Sequence, residues 1–314
     1  MRPCDAQAQT YHRTMYRAVM FLVPILFLAP SFGASAWAQD FWMHWGDGKA
    51  ELNGYSLKQP RYGTLRSGTA VLVFVTEDFS DASRVKAEPG RHPAADVFPV
   101  LKLNAVRDFA TGIYDYNVMT STFLRVASGW PLAKLSFSSQ EWCGHVWHQI
   151  VPRGGRLGGV FHSYFDGEAD GSEDLDAPQD GVVEDALPVL LRGWNGAFLK
   201  PGEGRSVAFL PSLLFVRLNH RRLAWTRARI ERAPATRSLG VPAGRFEVSS
   251  YRVETQDGRV LSFDVEAKPP YRLVRQAGPD GEELALRGTT RLPYWELNGP
   301  GGERYLKELG LGVR

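Results

Sequence analysis

The sequence predicts a mainly β protein: antiparallel sheets in an open or half-barrel arrangement, with few short helices. Three observations predict it. Short runs rich in β-branched and aromatic residues recur along the chain, the composition of a pleated surface packed on at least one face. Asp-Gly pairs stand between such runs at 257–258 and 280–281. No long amphipathic helical period alternates with the strands, which excludes a doubly wound α/β fold.

The elements follow in order. Residues 1–38 read as a signal peptide. Arg13 and Arg17 precede an apolar run at 20–29, and Ala36-Trp-Ala38 then offers the small-x-small pattern of a cleavage site. Pro24, Pro30 and Gly33 argue against a retained anchor helix. Met15 is an alternative start, since residues 1–14 add nothing a signal needs. Residues 70–76 (Ala-Val-Leu-Val-Phe-Val-Thr) predict a strand buried on both faces. Residues 98–103, 132–138, 159–164, 206–210 and 213–218 are further short strand runs, and 106–111 reads as a turn or two of helix. Runs at 246–253, 260–265, 271–275 and 283–286 form a meander within 241–286. The Asp-Gly pairs close its turns, because a type I′ turn needs positive φ at both central residues. Residues 303–309 predict a short helix stopped by Gly310.

The segment 166–185 holds nine Asp or Glu and no Lys or Arg. It predicts a long exposed loop between an N-terminal β half (39–165) and a C-terminal β half (186–314). Removing the signal leaves 34 basic and 33 acidic residues, so no global field favours nucleic acid or an anionic membrane. The expected location is the periplasm, with no membrane span after cleavage. Cys4 leaves with the signal and Cys143 remains alone, so the fold rests on packing rather than an internal disulfide.

Several stretches carry a resemblance: Arg61-Tyr-Gly, 71–79 (Val-Leu-Val-Phe-Val-Thr-Glu-Asp-Phe), 99–104 (Pro-Val-Leu-Lys-Leu-Asn), 111–123 opening Thr-Gly-Ile-Tyr-Asp-Tyr, and Gln140-Glu-Trp-Cys-Gly-His145. Together they resemble an uncharacterised family of exported bacterial proteins whose members often carry the label "septum formation inhibitor Maf". The genuine Maf proteins are cytoplasmic nucleotide pyrophosphatases with an α/β fold, which neither the export signal nor the strand pattern matches. The stretch 241–286 is similar to a periplasmic domain of unknown function, which implies an open β half-barrel of the kind seen in lipoprotein carriers. The resemblance implies no catalytic residues.

Three groups of residues are chemically notable. Glu141, Cys143 and His145 alternate, so on one strand they would share a face, as a thiolate with a His base or as part of a metal site. The spacing matches no standard metal or nucleophile signature, and a packed strand with Cys143 buried among aromatics is the preferred reading. Asp166, Glu168, Asp170, Asp174, Asp176 and Asp180 place oxygen ligands at short spacing and could hold Ca²⁺, although the twelve-residue EF-hand register fails. Seven Arg between 217 and 237, opposed only by Glu231, surround Trp225. They could bind anionic lipid or lipopolysaccharide, but the preferred reading is that the stretch faces solvent or pairs with the acidic segment. Trp142, Trp147 and Trp225 are candidates to line an apolar pocket. The leading functional expectation is a non-enzymatic binding or carrier protein for an apolar or lipid-like ligand, with no resident cofactor. The alternatives are a Cys- or metal-dependent hydrolase centred on Cys143 and a structural or interaction protein of the cell envelope.

Overall fold

Sixteen strands form a single sheet in the computed structural model, which describes residues 36–312. Cys4, Arg13, Arg17 and the apolar run at 20–29 lie outside the described residues. The helix α1 (Ala36–Trp45) opens the described chain, so the expected cleavage after Ala38 would fall in its first turn and leave buried Phe41 and Trp45 in the mature protein.

The first eight strands form a meander: β1 (Ala50–Arg61), β2 (Thr64–Ser80), β3 (Val97–Thr111), β4 (Tyr114–Arg125), β5 (Leu132–Glu141), β6 (Gly144–Arg153), β7 (Arg156–Ser163) and β8 (Asp170–Asp176). The short β9 (Gly181–Val183) pairs in parallel with β10 (Gly204–Leu210), which pairs with β11 (Thr226–Arg232). A second meander follows through β13 (Gly244–Thr255), β14 (Val260–Glu266), β15 (Leu273–Ala277) and β16 (Glu283–Leu292), with β12 (Arg237–Val241) folded back on β13. The antiparallel meander expected over 241–286 is present. The last strand, β16, pairs antiparallel with β1, from Ala50 opposite Leu292 to Lys58 opposite Glu283. The two expected halves therefore contribute to one sheet. The strand order ends at β8 and β9, which only residues 177–180 connect, so the sheet curls until these two edges approach without closing a barrel.

One apolar core fills the curl. It draws Leu72, Leu103, Phe137 and Ile150 from the first meander and Phe209, Val253, Phe263 and Leu286 from the rest. Trp45 of α1, Leu187 of α2 (Leu187–Leu190) and Leu213 of α3 (Leu213–Leu218) plug the interior. Residues 70–76 are strand within β2, covered on both faces. Leu72 and Phe74 enter this core. Val73 and Val75 lie on the other side, under the C-terminal 3₁₀ segment Gly302–Leu309 through Leu309. That segment ends at Gly310, which has φ +64°, as its sequence predicts.

Four expectations need correction. Residues 106–111 continue β3 rather than forming a helix; Arg107, Phe109 and Thr111 are buried in period two, and the charged Arg107 hides the alternation. Residues 213–218 are helix α3, not a strand, because Ser212 caps it by accepting the Phe215 N–H (3.1 Å). The acidic segment is not one long loop: 170–176 is edge strand β8, whose charged side chains suit an unpaired edge. The Asp280-Gly281 turn has positive φ at both residues (+55° and +81°), as type I′ requires, but at 257–258 only Gly258 does (+86°). There the Gly258 N–H bonds Thr255 O, the geometry of a type I turn followed by a glycine bulge.

Candidate functional site

Successive hairpins of a meander point to alternate ends of the sheet. The turns β1–β2, β3–β4, β5–β6, β13–β14 and β15–β16 share one end, where β9 and β10 also finish. At this end a cavity of about 500 Å³ lies between β1–β4, β15–β16 and the segments around α2 and α3. Its walls are mixed: Leu72 and Leu103 from the sheet, Leu284 from β16, and Leu214, Phe215 and Leu218 from α3 form an apolar part, and Gln59, Thr120, Thr122 and Gln276 add polar groups. Tyr62, Gly63, Leu65, Asn219 and Asp280 stand around its opening, on the turns that frame this end.

Charged groups are built into its lining. Arg107 Nη1 donates to Gln59 Oε1 (3.0 Å) and Glu282 Oε1 (2.6 Å). Arg259 Nη2 donates to Glu184 Oε2 (2.9 Å), and its guanidinium lies 3.7 Å from the Phe215 ring centroid. Both partners of the Arg259–Glu184 pair are buried. Glu184 also accepts the Ser212 N–H (3.1 Å), and Asp185 accepts the Leu213 N–H (2.9 Å), so both acids hold α3 in place. Burial pushes the Asp185 carboxyl up to about 7; the Leu213 N–H and Arg107 oppose this, and neighbouring Glu184 adds to it. Arg61 donates to Leu218 O (2.6 Å) and to the Tyr116 hydroxyl (3.2 Å), tying the first hairpin to the end of α3. The arrangement suits an amphipathic guest, with the leucine and Phe215 part of the lining for its body and the polar and charged part for a polar group.

The residues singled out from sequence lie elsewhere. Glu141 pairs with Gly144 across a two-residue turn made by Trp142 and Cys143. Cys143 is therefore at a hairpin tip and exposed, not on a strand and not buried among aromatics. The Cys143 N–H bonds Glu141 Oε2 (3.1 Å), and the nearby carboxylate pushes the thiol up, against activation as a nucleophile. His145 faces outward, whereas His148 is buried on the inner face, where burial and Arg217 lower it to about 4. His162 is on β7, 3.1 Å from Asp170. Glu141 is the side chain that meets Cys143, and His145, His148 and His162 make no hydrogen bond to it.

The acidic residues are mostly paired. Glu168 binds Arg217 and His220, Asp170 meets His162, Arg156 bonds Asp174 and Asp176, and Asp180 bonds Arg227 (2.8 Å). Asp166 is exposed. Among the described residues no three His, Cys, Asp or Glu side chains stand close enough to hold a metal ion. The Arg-rich stretch pairs with the acidic segment at Glu168–Arg217 and Asp180–Arg227, and Arg221, Arg222 and Arg229 are exposed, so both parts of the expectation, solvent and pairing, are seen. Trp225 donates to Asp176 O (2.7 Å), Trp147 stacks on His162 in a shallow outer groove, and Trp142 is exposed at its turn. None of the three lines the cavity. Sequence reasoning missed Arg107, Glu184, Asp185 and Arg259; the available signal was a charged residue inside an otherwise apolar, period-two strand, and it shows only for Arg107.

No protein-family model matches the chain, and no curated protein matches it. Three solved structures are similar in part. A β-barrel-like protein of the domain of unknown function DUF1849 from Brucella abortus shares 10% identity, covers 77% of this chain and 97% of its own, and has a TM-score of 0.43. A DUF1089 family protein from Pseudomonas aeruginosa shares 11% identity over 55% of this chain and 82% of its own, with a TM-score of 0.34. A protein with a YmcC-like fold from Bacteroides fragilis shares 12% identity over 77% of this chain and 95% of its own, with a TM-score of 0.21.

Proposed function

We propose that the protein is an exported, non-enzymatic binding or carrier protein that holds a small amphipathic, lipid-like molecule in the cavity at the hairpin end of its sheet. One observation carries the reading: a cavity of about 500 Å³ whose lining joins leucines and Phe215 to polar side chains and to the buried charges of Arg107, Arg259 and Glu184. That volume falls within the range of small-molecule sites. The apolar part of the lining supplies affinity through burial, and the fixed charges orient a polar group.

Native mass spectrometry of the protein recovered from an exporting host tests this. A retained small molecule is expected in the wild type. Leu103→Trp, which fills the cavity, should lose it. Absence of retained mass, with no uptake of added fatty acid or phospholipid, overturns the reading. Export is tested separately: the N-terminus of the recovered protein should be Gln39, and recovery of the full chain from the cytoplasm alone would contradict it.

A further inference from the structure

Of the five large apolar side chains more than half exposed among the described residues, Met43 lies on α1 and the other four lie together at one end of the sheet. They are Ile113 (85%), Tyr164 (73%), Trp142 (70%) and Tyr62 (59%). Three occupy two-residue turns: Tyr62-Gly63, Gly112-Ile113 and Trp142-Cys143. Tyr164 follows β7 and packs against Gly144. Short hairpin turns ordinarily carry Asn, Asp and Gly, as Gly154-Gly155 and Asp280-Gly281 do in this protein. Four consecutive hairpins at one end instead each present one bulky apolar side chain. Two of them, Tyr62 and Trp142, are linked through intervening rings: Tyr62 to Tyr116 through their hydroxyls (2.9 Å), Tyr116 to Tyr114, and Tyr114 to Trp142.

We propose that this row of hairpin tips docks on a lipid bilayer surface. Shape, residue type and position support a bilayer over a protein. Neighbouring strands are about 4.8 Å apart, so successive hairpins project roughly every 10 Å. A protein partner must offer a matched pocket to each such anchor, whereas a fluid lipid surface accepts separate points without complementarity. Tyr and Trp combine an apolar ring with a polar tip, which suits the boundary between headgroups and acyl chains. The row also borders the opening of the cavity, which Tyr62 and Leu65 line. What covers the tips can therefore exchange the cavity's guest directly; this last point rests on the carrier reading, while the docking surface stands without it. Exposed charges at this end have both signs, with Asp115 and Asp280 set against Arg221 and Arg222. Docking through apolar tips should therefore persist in high salt.

Cys143, at the Trp142 tip, gives a local probe. In the full chain carrying Cys4→Ser, a polarity-sensitive fluorophore on Cys143 is mixed with vesicles of phosphatidylethanolamine and phosphatidylglycerol. The emission should shift blue, brominated acyl chains should quench it, and neither effect should fall in high salt. Ile113→Asp with Tyr164→Asp should weaken partitioning by on the order of a hundredfold, about tenfold for each apolar anchor lost. Melting temperature confirms that these exposed substitutions leave the fold intact. The same fluorophore at Ser128→Cys, in a Cys143→Ser background at the opposite end, should stay unshifted. Three results overturn the proposal: a vesicle-bound chain whose Cys143 probe is not quenched, quenching that survives the tip substitutions, or a shift that depends on protein concentration without lipid, which would mean that a second copy covers the row. Vesicle binding without any retained small molecule would leave the docking surface standing and remove the carrier reading.

Discussion

Glu141 and Cys143 meet across a turn in which the carboxylate faces the backbone N–H and the thiol of the residue two along. A carboxylate there disfavours a second negative charge, so the thiol is pushed up although it is fully exposed. Alkylation of folded protein should therefore proceed without denaturant and accelerate steeply with pH. Glu141→Gln should raise the rate at neutral pH; identical rate profiles for both proteins would show that Glu141 does not control the thiol. Asp185 is the opposite case, a carboxyl raised by burial to about 7 from an ordinary 3.8. The folded state binds this proton more tightly than the unfolded chain, so the group favours folding at low pH. That contribution is lost as pH rises through 3.8 toward about 7. Asp185→Asn keeps an acceptor for the Leu213 N–H and removes the titration. Its stability relative to wild type should rise between pH 4 and pH 7 and level off above; a difference independent of pH would contradict the assignment.

Among the elements, α3 and the C-terminal 3₁₀ segment show how packing selects local structure. Residues 213–218 have a strand-like composition, but Ser212 and Asp185 satisfy the first N–H groups of a helical turn and the buried side chains then plug the sheet. The C-terminal segment reaches the outer face of β1 and β16 through Gly54 and Gly288, which face each other across the two strands. A Cβ on Gly54 would stand 2.2 Å from Leu309 O, and one on Gly288 2.2 Å from Glu308 O. Gly54→Ala should therefore displace the segment and uncover Val73 and Val75, at a cost of about 1–3 kcal/mol. Denaturant melts measure this, and a neutral result would mean that the segment contributes little to stability. Strand β8 illustrates the reverse constraint. Its Asp174 and Asp176 bond Arg156 on the adjacent strand, so an acidic run that reads as loop is held in an edge ladder.

Across the molecule, a buried ion pair ties the first strand to the chain beyond α2. Arg192 Nη2 bonds Glu51 Oε2 (2.8 Å) and Pro270 O (2.8 Å), and the guanidinium lies near the Trp45 and Phe74 rings. Burial alone would raise the Glu51 carboxyl, but Arg192, His44 and Asn53 outweigh it and hold it at about 2. A depressed carboxyl contributes stability above its ordinary value of 4.5 that is lost as pH falls through about 2. Glu51→Gln should cost about 3–5 kcal/mol at neutral pH by leaving Arg192 buried without a counter-charge. The cost should shrink in acid, and Glu51→Leu with Arg192→Met should cost less than Glu51→Gln alone. A single-variant cost that is small and unchanged with pH would refute this role for the pair.

Local chemistry made much of this protein legible in sequence. β-Branched runs, the Asp-Gly turns, the meander over 241–286 and the stop at Gly310 depend on backbone preferences that neighbouring residues express by themselves. The joining of β1 to β16, the curl that brings β8 toward β9, and the main core inside the curl were decided by tertiary structure, since each pairs segments far apart in the chain. The site followed the same division. Cys143, His145 and Glu141 stand close in sequence and invited a shared role, but a two-residue turn separates their directions. Arg107, Glu184, Asp185 and Arg259 come from a strand, a 3₁₀ turn and a hairpin up to 152 residues apart, and only the folded sheet brings them to one cavity. Period-two alternation specifies which side chains face inward. It carries no information about which inward-facing charges will meet, because that depends on how far the whole sheet curls.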